Sequence, residues 1–292
     1  MTDAAAGAVH RTVRSLREAF GDALECSVSL AAYSTYRVGG AAAALLHVHS
    51  IDDLLLAYSI TSGGQLPTLV VGKGSNLVVA DRGFPGLVLW LGEEFGFIDV
   101  EVERSTVTAG GAAFLPVVAR RATSSGLAGF TWAVGVPGSV GGAVRMNAGG
   151  HGSDMAATLV SATVFDLASG ELSRRSVAEL GLGYRTSAIT ASQIVLDATL
   201  QLAPGDREAG ERDLAEIVRW RREHQPGGAN GGSVFANPEG GVLAPSSMPL
   251  AAKECALARR RCQRSTPISS WPTPVARPTT SSADRCGSSA GP

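Results

Sequence analysis

Gly135-Val136-Pro137-Gly138-Ser139-Val140-Gly141-Gly142-Ala143, running on into Met146-Asn147-Ala148-Gly149, is the stretch on which the reading of the fold turns. Its first eight residues hold four glycines and a proline and carry no charge. Glycine and proline are poor helix formers, so an ordinary helix is not expected here. Small residues in such density let another surface lie directly on the backbone. That surface is either a crossing segment of the same chain or a ligand. A pyrophosphate is the natural ligand, because backbone N–H groups can neutralise it without side-chain cations.

A second glycine loop lies upstream. Leu66–Gly72 reads as a buried strand stopped by glycine, and Gly72-Lys73-Gly74-Ser75-Asn76-Leu77 follows it. Glycines at a strand end admit a ligand to the backbone, while Ser75 and Asn76 add side-chain donors. No helix follows directly, so this is not a Rossmann fingerprint, and a plain turn would also account for the segment on its own. Two further segments stand out: Gly183-Tyr184-Arg185-Thr186-Ser187, and Gly232-Ser233-Val234-Phe235-Ala236-Asn237-Pro238. Taken singly, the first is a surface Tyr-Arg pair and the second a Gly-Ser turn.

Around these loops the periodicities predict helices at 11–20, from Asp52-Asp53 to Gly63-Gly64, at 113–126 and at 206–224. They predict strands at 44–49, 66–72, 86–91, 97–102, 105–110, 159–166 and 194–202. This mixture is an α+β pattern. The 292 residues suffice for one large or two modest domains, and 45% hydrophobic against 17% charged residues marks a globular chain. A net charge of −1 gives no electrostatic case for nucleic acid. No apolar run reaches membrane-spanning length, and the N-terminus lacks a signal-peptide pattern, so a cytoplasmic location without membrane attachment is expected. Cys26, Cys255, Cys262 and Cys286 have no metal-ligand spacing, so neither a metal nor a disulfide framework is expected. His47 and His49 alternate on a strand and read as ordinary strand histidines; His151 reads as a loop histidine.

In this order and spacing the four segments resemble the UDP-N-acetylenolpyruvoylglucosamine reductases, flavoenzymes of peptidoglycan precursor synthesis. Tyr33-Ser34-Thr35-Tyr36-Arg37-Val38-Gly39-Gly40 and Gln225-Pro226 add to the match, which spans about residues 30–240. The spacing after Gly-Tyr-Arg is similar to the shorter-looped subclass. The resemblance implies a fold of the vanillyl-alcohol oxidase type, with two α+β subdomains gripping non-covalent FAD. It implies a lead-in at 1–29, an FAD-binding domain at 30–205 and the start of a substrate subdomain at 206–240. NADPH would reduce the flavin, and a UDP-sugar enolpyruvyl ether would then bind in its place to a monomeric protein. The cofactor-binding set implied is Tyr36, Arg37, Gly72, Gly74, Ser75, Asn76, Leu77, Gly135, Pro137, Gly138, Ser139, Gly141, Gly142, Asn147, Ala148, Gly149 and Val195. Arg185 would stabilise the enediolate that develops on the substrate carboxylate, Tyr184 would shape the site, and Ser233 would donate the proton.

The resemblance stops near Gly240. The last 52 residues hold seven of the fourteen prolines, nine serines and seven Lys+Arg against two acids, so they carry about +5 and the rest about −6. They show no hydrophobic period, and a disordered basic tail is the plain expectation for 241–292. The genetic code suggests a cause. Codons built from the last base of one residue and the first two of the next can read A-G-x-L-I-D-A-A-G-C-K-G from Val242. From Arg261 they can read V-S-T-K-H-A-N-F-I. Both are patterns with which the family continues. A single frame slip near 239–242 is therefore expected. It would leave the third subdomain, with its catalytic glutamate, missing or scrambled. Neither Glu239 nor Glu254 nor Asp284 stands in a matching motif. Such a chain would be a catalytically impaired FAD-binding remnant; a different flavin oxidase of the same fold is disfavoured by Gly-Tyr-Arg and Gly-Ser-Val-Phe.

Overall fold

The computed structural model describes residues 3–62, 66–225 and 228–229. In chain order the elements are α1 (Asp3–Phe20), β1 (Leu24–Ser29), β2 (Ala41–Val48), α2 (Ile51–Thr61), β3 (Thr68–Val71), β4 (Phe84–Leu91), β5 (Ile98–Glu101) and β6 (Thr106–Gly110). Then come α3 (Leu115–Ser124), β7 (Leu127–Ala128), α4 (Val140–Met146), β8 (Gly149–Gly150) and β9 (Ser153–Asp154). The chain continues with β10 (Leu159–Asp166), β11 (Glu171–Ser176), α5 (Val177–Leu180), β12 (Gln193–Gln201), β13 (Ala203–Pro204) and α6 (Arg207–His224).

Two sheets organise these elements. The first has the order β1-β2-β4-β3, with β2, β4 and β3 parallel and β1 antiparallel at the edge. Its central strand β4 buries Leu87, Val88 and Leu89 completely, the unbroken apolar run of a strand covered on both faces. The second has the order β11-β10-β12-β6-β5 and is antiparallel throughout. One core gathers Leu16 of α1, Leu54 of α2, Leu46, Leu87 and Leu89 of the first sheet, and Phe165, Ile194 and Leu196 of the second. Another gathers α3, α4 and the opposite face of the second sheet, including Val195, Ala198 and Leu200.

Strand β12 thus serves both cores. It does so through a register shift: Thr163 pairs with Asp197, but its neighbour Val164 pairs with Val195. The extra residue reverses the alternation, so Ile194 and Leu196 face one core while Ala198 and Leu200 face the other. The α+β class and the predicted elements agree with the structure to within a few residues at each end. The start of α2 is set by a capping box between Ser50 and Asp53.

Two expectations are corrected, and two edge strands are added. The glycine-dense stretch does contain a helix: α4 spans seven residues. Ser139 caps it by accepting from Gly142 N–H (3.3 Å), and Ala143 and Val144 are buried beneath it. Gly141 and Gly142 lie in its first turn, where a helix tolerates them and where a close backbone approach needs them. The edge strands β1 and β11 were not foreseen, because each buries too little to alternate: β1 fully buries only Leu24 and β11 nothing. The first helix begins at Asp3 and not near 11.

Candidate functional site

The predicted segments converge. Gly72 ends β3, and a Cβ there would lie 2.4 Å from Ser139 Oγ, so the first glycine loop packs directly on the cap of α4. Gly138 faces Ser75 Oγ at 3.4 Å by the same measure. The second loop is itself seated on the second sheet. Leu115 N–H donates to Gly138 O (2.9 Å), Val140 N–H to Ala113 O (2.9 Å) and Gly141 N–H to Gly111 O (2.9 Å).

The 33–37 segment closes the other side. Thr35 N–H donates to Gly74 O (3.2 Å), and Ser34 Oγ–H to Leu77 O (3.2 Å). Tyr36 N–H donates to Ser34 Oγ (3.1 Å) and Arg37 N–H to Ser34 O (3.1 Å), which holds Arg37 at a φ of 54°. Beside this junction a cavity of about 360 Å³ is lined by Tyr33, Ser34, Thr35, Arg37, Lys73 and Trp90. Tyr33 meets Trp90 edge to face at 6.0 Å. Burial, with the Glu25 charge second, raises the Tyr33 phenol above its ordinary value. These aromatic walls gave no sequence signal, because Tyr33 and Trp90 are 57 residues apart, one on the link between β1 and β2 and the other on β4.

Arg185 reaches the same place. Its Nη2 donates to Asn76 Oδ1 at 3.1 Å, linking the Gly-Tyr-Arg turn to the first glycine loop across 109 positions of sequence. The turn is held by Asn147, the buried residue closing α4 at a φ of 40°. Asn147 Nδ2 donates to Gly183 O (3.1 Å) and Asp154 Oδ2 (3.0 Å), and its Oδ1 accepts from Ala156 N–H (3.0 Å). Tyr184 is 67% exposed.

The remaining predicted residues are placed as follows. Gly135 is covered by Ile217 and the His151 ring, and Pro137 is exposed. Ala148 O accepts from Met155 N–H, and Gly149 pairs with Asp154 across β8 and β9. Val195 turns its side chain into the core; its carbonyl oxygen abuts Gly111 and Gly141, so only its backbone faces the cleft-side glycines. Ser233 and the tail lie outside the described residues. His47 and His49 each meet a carboxylate, Glu25 at 2.8 Å and Glu94 at 3.2 Å, in keeping with ordinary strand histidines. Asp154 and Arg145, which hold the site from behind, were missed by sequence reasoning.

The donor set fits a dinucleotide pyrophosphate. Residues 33–37, 72–77, 135–149 and 183–187 contain no aspartate or glutamate; Arg37, Lys73 and Arg185 supply positive charge, while Arg145 is turned to the carbonyls of Ile189 and Thr190. Gly72 and Gly74 pack so closely on Ser139 and on the Tyr33–Ser34 backbone that neither admits a Cβ. Among the described residues there is no cluster of metal-ligating side chains and no helix long and apolar enough to cross a membrane.

Comparison with known proteins agrees with this geometry. Residues 42–176 match the family model of the FAD binding domain. UDP-N-acetylenolpyruvoylglucosamine reductase of Paramagnetospirillum magneticum is 46% identical over 213 residues, covering 72% of this chain and 68% of the relative. The crystal structure of UDP-N-acetylenolpyruvylglucosamine reductase from Thermus caldophilus superposes with a TM-score of 0.65 at 34% identity, over 75% of this chain and 77% of that one. A berberine bridge enzyme variant, 15% identical, shares the fold alone, with a TM-score of 0.54 over 68% of this chain and 44% of its own. The fold is therefore the two-subdomain, FAD-binding architecture of the vanillyl-alcohol oxidase type. The chain belongs to the UDP-N-acetylenolpyruvoylglucosamine reductase family, and its two glycine loops lie in its FAD-binding domain.

Proposed function

We propose that this protein reduces UDP-N-acetylglucosamine enolpyruvate to UDP-N-acetylmuramate in peptidoglycan precursor synthesis, with NADPH as the reductant. One observation carries the reading: Arg185, from the second sheet's side, donates to Asn76 on the loop proposed to hold the FAD pyrophosphate. A substrate cation and a cofactor cradle thereby share one hydrogen bond. Ser75, Ser139 and the backbone of both glycine loops would hold the diphosphate, with Arg37 and Lys73 as nearby positive charge. Bound FAD supplies the hydride, taken from NADPH, to the vinyl carbon remote from the substrate carboxylate.

The chain's own residues then manage charge and proton. Negative charge moves onto the carboxylate side, and the fixed guanidinium of Arg185 stabilises it as it forms. Tyr184 borders that cation. Ser233 would deliver the proton to the carbon left behind; an enediolate is basic enough to take it from a hydroxyl. We read the protein as a cytoplasmic monomer acting on a small molecule, without nucleic-acid or membrane partners; its near-neutral charge supports the former exclusion.

The sequence from Val242 favours a second reading, an impaired FAD-binding remnant created by a frame slip. One experiment separates the two. The purified protein is examined for a flavin spectrum, then for NADPH oxidation on adding the enolpyruvyl substrate and for a product heavier by two hydrogens. Flavin with turnover supports the reductase. Flavin without turnover, with the family's continuation restored on resequencing codons 236–245, supports the remnant. Absence of flavin refutes both.

A further inference from the structure

Arg145 is the one cation near the site that the mechanism leaves unused. It lies on α4, partly buried, and burial draws its guanidinium below the ordinary arginine value. Among the described residues it makes no ion pair. Its Nη1 instead donates to Ile189 O (2.9 Å) and to Thr190 O. In return, Ser187 Oγ–H donates to Arg145 O at 2.7 Å. A guanidinium partly withdrawn from water and turned to carbonyl oxygens makes charge-assisted bonds stronger than those between neutral groups.

Those carbonyls close the segment that carries Arg185. The turn Gly183-Tyr184-Arg185-Thr186 is pinned by Gly183 N–H to Thr186 O (3.0 Å) and Thr186 N–H to Gly183 O (3.2 Å). Arg185 sits in it at a φ of 55°, a conformation that side-chain-bearing residues adopt only when their surroundings impose it. Asn147 fastens the front of the segment through Gly183 O, and Arg145 fastens the rear through Ile189 and Thr190. Both holding residues stand at the C-terminal end of α4, whose other end presents Ser139 to the first glycine loop.

We propose that Arg145 is a positioning residue: with Asn147 it clips the 183–190 segment to α4 and so sets Arg185 over Asn76. The inference rests on the reading of Arg185 as the substrate-facing cation. It also makes α4 a rigid spacer, fixing the distance between the pyrophosphate cradle and the cation. Both bonds leave one nitrogen, Nη1, so a lysine ammonium can keep part of the clip while a methionine keeps none.

The full-length, FAD-loaded protein is compared with Arg145→Met, Arg145→Lys, Arg185→Ala and Arg145→Met/Arg185→Ala. Hydrogen exchange should show peptides over 183–190 losing protection about tenfold in Arg145→Met and less in Arg145→Lys, while β10, β12 and β4 stay protected. Single-turnover reoxidation of reduced flavin by the enolpyruvyl substrate should slow about 10–100-fold in Arg145→Met, because a displaced catalytic group costs rate and not cofactor affinity. FAD affinity should hold. On the Arg185→Ala background the same change should add less than about twofold, since the two act as a unit. Unchanged protection at 183–190 would overturn the clip, and protection lost equally throughout both sheets would reduce Arg145 to a folding residue. A fully additive double variant would show that Arg145 does not act through Arg185. Reoxidation at the parent rate in Arg185→Ala would instead overturn the assignment of Arg185 itself, and the exchange data would still judge the clip.

Discussion

Gly74→Ala is the sharpest test of the cradle. Gly74 is buried, at a φ of 64°. An added Cβ would stand 2.0 Å from Tyr33 O and 2.7 Å from Ser34 Cα, both backbone atoms that cannot rotate away. The left-handed conformation alone disfavours alanine by about 1–2 kcal/mol. Relieving the contact requires the Tyr33 carbonyl to retreat by more than about 1 Å to reach ordinary van der Waals separation. That movement pulls apart Thr35 N–H and Gly74 O, now 3.2 Å apart, with a net loss of about 1 kcal/mol. The sum is about 3 kcal/mol at the point where both loops meet. If the distortion falls on the bound state, FAD affinity drops about 100-fold, at 1.4 kcal/mol per tenfold. If it falls on folding, the midpoint of thermal unfolding drops by several degrees. Flavin-fluorescence titration and a thermal melt read the two together. Gly96→Ala is the control, since nothing lies within 4 Å of its Cβ position and its φ is not positive. A Gly74→Ala protein with parental FAD affinity and parental melting temperature would refute the reasoning.

Arg185→Ala should lower turnover by at least about 100-fold while FAD occupancy changes little, because a charge that serves the developing enediolate acts in the transition state; a change in substrate affinity alone, seen in steady-state kinetics, would contradict it. Asn147→Ala should destabilise by about 2–4 kcal/mol in denaturant unfolding, since it removes three hydrogen bonds from a buried site and places alanine at a φ of 40°. Asp166→Ala should cost about 1 kcal/mol at neutral pH through the lost bonds from Ala168 N–H in the β10–β11 turn and from Gln193 Nε2 at the start of β12. Burial opposes ionisation of Asp166, but those bonds, Ser192 and the Arg175 charge outweigh it and leave the carboxyl below its ordinary value. The folded state therefore prefers the carboxylate, and the wild-type advantage should be present at pH above the unfolded value of about 3.9 and fade as the folded-state group protonates. Parallel pH–stability curves for the two proteins would count against this.

Much of the fold was legible because local patterns sufficed. The run Leu66–Val71 stopped by Gly72, the apolar Gly86–Leu91 and the amphipathic 206–224 each announce their element without reference to the rest of the chain. Edge strands β1 and β11 were not legible, because they bury almost no side chain, and without a buried face there is no apolar alternation to read. The four glycine- and arginine-bearing segments were legible as chemistry, since residue type alone limits what Gly-Gly, Ser-Asn or Tyr-Arg can do next to a phosphate or a carboxylate.

By itself, then, the sequence determined most of the larger elements, the absence of acids from the four segments and the family. The tertiary structure decided proximity. Asn76 and Arg185 meet only because α4 docks Ser139 against Gly72 at one end and holds the 183–190 segment at the other. It also decided that the stretch reading as helix-averse becomes a helix. The propensity penalty of Gly141 and Gly142 is modest, whereas burying Val140, Ala143 and Val144 and capping with Ser139 favour the turn. Gly141 is needed there, since a Cβ would meet Gly111 O and Val195 O at 3.1 Å. Contacts of this kind depend on residues far apart in the chain. No local pattern encodes them, because what they require is space, and space is set only when the sheets have packed.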